Sequence, residues 1–441
     1  MSDRRETVLK PFIEQADYMN DRIRSGVEAN RKGWATLRVV DADGKPVPGA
    51  HIAIEQKTHD FHYGANLFML DEMETPEKND AYRKLFADAF NMATLPFYWS
   101  DLEPEQGKPR FAKDSPRIYR RPPIDLCLEY CEQNFITPKE HCLIYDFFTP
   151  AWVKNEVEAA KRAYDVRFRT LAERYADRIH GWEVINETLC NYGHNVLEKE
   201  PGLIEWAFRL AERYFPMNEL IINETHSRIW GNVFHGDRSN YYLMIERALN
   251  RGCRIDTIGM QFHMHYKREI EAQSTPQFFS PEGIYAVMDR YADFGKPFQI
   301  TELTIPAHDQ SEENEQIQAE IITNLYRMWF SHPNMEAIMY WNLVDGYAAY
   351  APQGDMTCGE NVYHGGLVRF DLTPKPAYWA VRNLFEKEYH TGVQTGSGDE
   401  GQARFKGFYG EYEVTVQADG RTASQKIHLT KQGGREFTIR I

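Results

Sequence analysis

Apolar and polar positions alternate with two different periods along this chain, and the pattern changes near residue 60. Residues 3–30 carry Val8, Leu9, Phe12, Ile13, Ala16, Met19 and Ile23 at roughly helical spacing, which predicts an amphipathic helix. Two alternating runs follow, 34–40 and 50–55, around the stretch DADGKPVPG. Asp-Gly and Pro-Gly are turn signals, so a β-hairpin is expected there. Beyond residue 60, short β-rich apolar runs alternate with long amphipathic stretches. The runs are 62–68, 91–99, 136–146, 180–187, 219–224, 255–263, 297–303 and 336–343. Helical stretches lie at 155–176, 202–213, 239–251, 283–293 and 311–331, and a last helix at 376–387. After the polar linker TGSGDEGQ, the tail alternates again and predicts three or four strands with Asp-Gly and Gly-Gly turns.

Strands that alternate with helices predict an α/β fold, and eight such units predict a closed (β/α)₈ TIM barrel. An open doubly wound sheet is the alternative, but no Gly-rich phosphate fingerprint follows the first strand. The tail is too short to hold a large core alone. The expected organisation is an N-terminal helix and hairpin over 1–59, the catalytic barrel over 60–390, and strands over 391–441. The hairpin and the tail strands are expected to share one small β-sandwich.

Composition narrows the function classes. The formal charge of −14 argues against a nucleic-acid partner, since phosphate binding needs a basic stripe. Aromatic residues reach 13%, which suits either a large core or the stacking of sugar rings. The six cysteines, Cys127, Cys131, Cys142, Cys190, Cys253 and Cys358, form no CxxC pair. Zinc and a disulfide scaffold are therefore not expected, nor is any cofactor. The first residues have charges every few positions and no apolar core of a signal peptide, and no run approaches a membrane span. A cytoplasmic protein without a membrane partner is the expectation, or a secreted one if a leader has been removed.

In a barrel of this kind the working residues stand at the C-terminal ends of the strands. Those ends carry Asn66, Trp99, His141 and Asp146, Asn186 and Glu187, Asn223 and Glu224, Gln261 and His263, Glu302, and Trp341 with Asp345. A purely structural barrel has no need of a polar or aromatic group after nearly every apolar run. Two carboxylates stand out: Glu187 closes WEVINE and Glu302 closes QITE. One strand-end Glu alone reads as a salt-bridge partner. Two that face each other across a barrel mouth fit glycoside hydrolysis, which uses an acid and a second carboxylate on opposite faces of the sugar. A gap of about 5–5.5 Å implies retention and one of about 6.5–9.5 Å inversion. Two nearby carboxylates push one pKa up, which supplies the acid.

WEVINE, LIINET, GMQFH, ITEL and DLTPKPAYWAV, in this order between about residues 61 and 388, resemble glycoside hydrolase family 10, typified by endo-β-1,4-xylanases. The resemblance implies a retaining hydrolase of β-1,4-xylan or xylo-oligosaccharides, with Glu187 as acid/base and Glu302 as nucleophile. It implies that Asn186 binds the 2-hydroxyl of the sugar being cleaved and that His263 holds Glu302. Gln261, His141 and Trp341 would line the same subsite, with Trp99 a subsite tryptophan beside Glu103 and Pro104.

The sequence also departs from that family. The Glu-Asn-x-x-Lys-Trp stretch, which binds the next sugar on the non-reducing side, is here Thr94-Leu95-Pro96-Phe97-Tyr98-Trp99. The His-x-Leu-x-Trp-His-x-Gln-x-Pro stretch is His141-Cys142-Leu143-Ile144-Tyr145-Asp146-Phe147-Phe148-Thr149-Pro150. Groups around the scissile bond survive, and those for the neighbouring sugar become apolar or aromatic. Retained chemistry with altered substrate choice follows, since polar sites discriminate strongly and apolar ones weakly. The substrate is then a xylo-oligosaccharide, another β-glycan, or a glycoside with an apolar aglycone. Phe97, Tyr98, Tyr145, Phe147 and Phe148 could form a platform for the last, or pack the barrel rim; Tyr145 is counted with the substrate-binding set. Two other readings compete: a carbohydrate-binding protein on an inactive barrel, and a metal-dependent enzyme using His62, His141, His263 and His265.

Overall fold

The computed structural model describes residues 3–190, 193–231 and 236–441. Two strands precede the barrel, β1 (Lys32–Val40) and β2 (His51–Gln56). The barrel strands are β3 (His62–Asn66), β4 (Met92–Pro96), β5 (Thr137–His141), β6 (Gly181–Asn186), β7 (Glu219–Asn223), β8 (Thr257–His263), β9 (Phe298–Thr304) and β10 (Met335–Tyr340). All pair in parallel, and β10 closes on β3. All eight apolar runs of the sequence became barrel strands. They read as continuous apolar runs because a parallel sheet sheathed in helices is buried on both faces. Helices such as Val157–Tyr175 and Glu312–Ser331 sheathe the barrel.

The N-terminal stretch is not one helix. It forms Asp3–Val8, Lys10–Glu14 and Ala16–Asn30, with Pro11 in the first turn of the second segment. Proline lacks the N–H that a continuous helix needs at that point. Arg4 docks the first segment on the loops beyond β8 and β9, and Asn30 closes the last by donating to the Ser331 carbonyl at 2.9 Å. The approach is close: a Cβ at Gly26 would stand 2.5 Å from the Ser331 oxygen.

The expected hairpin of β1 and β2 is also corrected. The two strands lie in different sheets. After the barrel come β11 (Gly392–Gly396), β12 (Gln402–Phe408), β13 (Gly410–Ala418), β14 (Arg421–Leu429) and β15 (Glu436–Arg440). One sheet has the order β12-β1-β15, the other β11-β2-β13-β14. Each strand alternates because one face packs on the opposite sheet. Leu37, Val39, Ile52, Ile54, Val414, Val416 and Leu429 form the shared core, each at most 1% exposed. Alternation showed that β1 and β2 are half-buried strands but carried no information about their partners. No helix among the described residues is long and apolar enough to cross a membrane.

Candidate active site

The C-terminal mouth of the barrel opens into a cleft of about 600 Å³. Glu187 follows β6 directly and takes a left-handed backbone conformation, φ +55°. Such a conformation costs a non-glycine residue energy and is retained where surrounding contacts enforce it. Among the described residues, Tyr145 and Gln261 hold the carboxylate here. The Tyr145 hydroxyl donates to its Oε2 at 2.7 Å and Gln261 Nε2 to its Oε1 at 2.9 Å.

Glu302 lies across the mouth on β9, 3% exposed. Its Oε1 accepts from Gln261 Nε2 at 3.0 Å and from Asn223 Nδ2 at 3.1 Å. His263 Nε2 meets its Oε2 at 3.1 Å. Burial pushes the His263 imidazole down, so it is neutral at neutral pH. Its Nδ1 lies 2.9 Å from the Thr304 hydroxyl, which fixes the ring with Nε2 facing Glu302. A register shift between Met260 and Gln261 sets Gln261 directly opposite Glu302. This bulge lets both Thr301 and Glu302 reach inward, where a regular strand would turn one out. Thr301 donates to Asn223 Oδ1 at 2.6 Å, which orients the Asn223 amide toward Glu302.

One amide nitrogen therefore touches both carboxylates. With bonds of 2.9 and 3.0 Å, the two Oε1 atoms are at most about 6 Å apart. Burial, with the charge of Glu187 adding to it, pushes Glu302 up to about 8. At neutral pH the Glu302 carboxyl therefore keeps its proton. Glu224, which closes the similar run LIINE, plays another part: it accepts from the backbone N–H of Leu189 at 2.9 Å and of Thr225 at 2.8 Å.

Beneath the pair lies a buried charge network. Lys139 Nζ and His141 Nδ1 each meet Glu183 at 2.8 Å, and Asn223 Nδ2 donates to the same carboxylate at 3.0 Å. Burial opposes ionisation of Glu183, but His141 and Lys139 outweigh it and hold the group at about 2. Burial also opposes a charge on His141, and Glu183 outweighs that, so His141 is raised. His141 Nε2 and the Tyr98 hydroxyl share a hydrogen bond of 3.0 Å. Trp341 packs edge-on to His141 and Phe68, at 5.4 Å from each, and forms the floor.

Of the residues proposed from sequence, Glu187, Glu302, Asn186, His141, Gln261, His263, Trp341 and Tyr145 all line this cleft. Trp99 does not. Its indole donates to Glu103 at 2.9 Å and packs on Tyr164 of the helix Val157–Tyr175, outside the barrel. The chain turns helical at Trp99–Leu102, which swings the ring away. Phe97 likewise points outward, onto Tyr175 and Trp182, so the aromatic rim is Tyr98, Tyr145, Phe147 and Phe148. The four histidines of the metal reading do not converge. His62 begins β3 at the far end of the barrel and His141 is held by Glu183. Cys142 and Glu183 lie close to His141, but the Lys139 ammonium already meets that carboxylate at 2.8 Å. Sequence reasoning missed Arg120, Arg121, Tyr350 and Glu360, which reach the cleft from loops. It also missed Glu183 and Lys139, although a charge inside an apolar barrel run was a usable signal.

A closed parallel barrel with paired carboxylates at its C-terminal mouth is the architecture of the barrel glycoside hydrolases. The family model described as "Glycosyl hydrolase family 10" matches residues 60–384, and the chain belongs to that family. The anti-sigma-I factor RsgI6 of Acetivibrio thermocellus is 23% identical over 97% of this chain and 50% of its own length. Endo-1,4-beta-xylanase B of Cellvibrio japonicus is 24% identical over 66% of this chain and 43% of its own length. The chain thus spans half or less of these two relatives. Endo-1,4-beta-xylanase B of Thermotoga neapolitana is 23% identical over 74% of this chain and 88% of its own length. Among solved structures, native xylanase 10B from Thermotoga maritima superposes with a TM-score of 0.58 at 22% identity, covering 75% of this chain and 96% of that one. Xylanase 10B from Thermotoga petrophila in complex with xylobiose gives 0.58 at 21% identity, covering 75% and 95%. Both share the barrel fold.

Proposed function

We propose that the protein is a retaining glycoside hydrolase acting on β-linked xylo-oligosaccharides or similar β-glycosides, with Glu187 as acid/base and Glu302 as nucleophile. The observation that carries this reading is the Gln261 amide that touches both carboxylates. It holds their nearest bonded oxygens within about 6 Å, below the range of inverting pairs, which supports double displacement. Glu302 attacks the anomeric carbon as Glu187 protonates the departing oxygen. A water then enters, Glu187 takes its proton, and the glycosyl–Glu302 bond breaks with retention. Before attack the proton must move from Glu302 to Glu187. Positive charge developing at the anomeric carbon favours the Glu302 anion, and the glycosidic oxygen draws the proton to Glu187. Asn186 stands beside Asn223 and Gln261, in place to bind the 2-hydroxyl.

The test is hydrolysis of aryl β-xylosides and β-glucosides by the intact chain and by Glu187→Ala and Glu302→Ala. Both variants are expected to lose about 10³-fold or more in kcat on glycosides with poor leaving groups. Azide should restore Glu302→Ala with an α-glycosyl azide as product, and should give a β-azide with Glu187→Ala. Equal activity in all three proteins would sink the assignment. A second reading has one observation in its favour: the relative that matches 97% of this chain carries the name of a regulator, not of a hydrolase. On that reading the barrel binds glycan without cleaving it. Any turnover abolished by Glu302→Ala excludes it.

A further inference from the structure

The two ends of the cleft are built differently. The acid must stand beside the glycosidic oxygen. The leaving group therefore runs past Glu187, toward the loops after β6 and β7 that carry Cys190, Thr225 and His226. The sugar under attack lies on the other side, over Trp341 and against His141. Beyond that sugar the cleft is lined by Tyr98, Phe148, Arg120 and Arg121.

The segment between β4 and the helix Ile124–Gln133 crosses this end as a strap. Arg117 Nε binds Glu72 Oε2 at 2.7 Å, in the loop after β3. Arg121 Nε binds Asp101 Oδ2 at 2.7 Å. Arg120, buried and at φ +64°, donates to Asn342 Oδ1 at 3.1 Å and to the Tyr347 carbonyl, both beyond β10. The strap is thus tied to the loops of β3 and β10 and folded back on its own first turn at Asp101. Below it the Arg121 guanidinium lies 4.3 Å above the Tyr98 ring, and Tyr98 stacks on Phe148 at 4.1 Å. His141 holds the Tyr98 hydroxyl from the other side. Swinging this wall aside would leave Arg120 buried without its partners, which a folded protein strongly resists. The lost polar residues before Trp99 fit the same picture: Leu95 is fully buried and Thr94 is 1% exposed.

We propose that the cleft is a pocket for a single glycone sugar, so that the enzyme removes one monosaccharide at a time from the non-reducing end of short β-linked oligosaccharides or aryl glycosides. This rests on the hydrolase reading above and specifies its substrate class. The strap and the Tyr98–Phe148 stack are the specificity-determining parts.

The test follows the order of products from 4-nitrophenyl β-xylobioside, with 4-nitrophenyl β-cellobioside in parallel, using the intact chain. A closed pocket releases xylose (or glucose) first and leaves the aryl monoglycoside, so nitrophenol appears only after a lag. Disaccharide and nitrophenol released together without a lag overturn the proposal and leave the hydrolase reading standing. The double variant Arg121→Ala/Phe148→Ala is expected to shift products toward direct disaccharide release by about tenfold; the order of products from the unaltered chain decides the matter if that variant misfolds. Calorimetry supplies a readout free of turnover, with xylose-configured isofagomine and its xylobiose-length homologue as probes. The longer inhibitor should bind at least about tenfold more weakly; tighter binding overturns the proposal. If no aryl glycoside turns over and neither inhibitor binds, the hydrolase reading falls and this inference falls with it.

Discussion

The amide nitrogen of Gln261 has two carboxylates within 3.0 Å, and a proton on Glu302 relieves their mutual repulsion. Burial is the main cause of the raised Glu302 value and the Glu187 charge adds to it. The sign is that of a carboxyl raised by its surroundings: the proton stays on up to about pH 8 and leaves above it. Loss of that proton removes the general acid. The pH profile of kcat/KM should therefore fall on its alkaline side with a midpoint near 8, by about tenfold per pH unit. Replacing Glu187 by Gln takes away one of the raising charges, so Glu302 should titrate lower in that variant. Carbon-13 NMR of labelled glutamate carboxyls reads both titrations. A Glu302 that titrates no lower in Glu187→Gln than in the parent would show that the two groups do not share a proton.

At the scale of elements, the most buried polar anchor of the first helical segment is Arg4, beside an Arg5–Glu320 pair at 2.8 Å and the buried Val8. Arg4 is 8% exposed and binds Glu271 through Nε at 2.8 Å and Nη2 at 2.9 Å. It also donates to Asn314 Oδ1 and the Pro306 carbonyl, each at 2.9 Å. Burial works against the Glu271 charge, but Arg4 and His308 outweigh it and bring the group down to about 2. Arg4→Ala leaves that carboxylate buried beside His308 alone and is expected to cost about 3 kcal/mol at pH 7 by chemical denaturation. A carboxyl lowered in the fold contributes stability above its unfolded value of 4.5 and loses it as pH falls toward 2, so the deficit should shrink over that window. A deficit independent of pH would place the loss in packing instead. None of this was legible in the sequence, where Arg4 is one charge among many. The barrel was legible, because eight apolar runs each end in a polar group and only a few folds bury strands that way. Trp99 was misplaced, and the choice between platform and packing for Phe97 left open, for a different reason. Inward and outward positions at the end of β4 depend on where the strand stops, and the chain turns helical at Trp99. The partners of β1 and β2 were hidden because alternation records one buried face and not the neighbouring strand. The strap was hidden because its contacts join loops far apart in the chain, such as Arg120 with Asn342.

At the scale of the molecule, the two ends of the chain build one body. β1 sits between β12 and β15, so the N-terminal strand is the middle of a sheet whose other members come from the C-terminus. The sandwich then meets the barrel floor. Arg31 lies over Phe61 and Phe330 at 4.8 and 5.1 Å, and Phe408 of β12 packs against Tyr389 at 5.7 Å. A sandwich without β1 and β2 loses Leu37, Val39, Ile52 and Ile54, each worth about 1.5–3 kcal/mol when fully buried. Neither terminal segment can hold that core alone, and both are anchored to barrel residues. We therefore expect the sandwich and the barrel to unfold as one cooperative unit, although the sequence divides them at residues 59 and 390. Scanning calorimetry of the intact chain should show a single transition. Removal of residues 391–441 should lower its midpoint by about 5 °C or more, since the exposed strands lose several kcal/mol of burial. Two separate transitions, or a barrel that melts unchanged after the truncation, would make the sandwich an appendage with no part in holding the barrel together. The single transition ties the cleft to both chain ends, because the barrel strands that carry Glu187 and Glu302 then melt together with the sandwich at their far end.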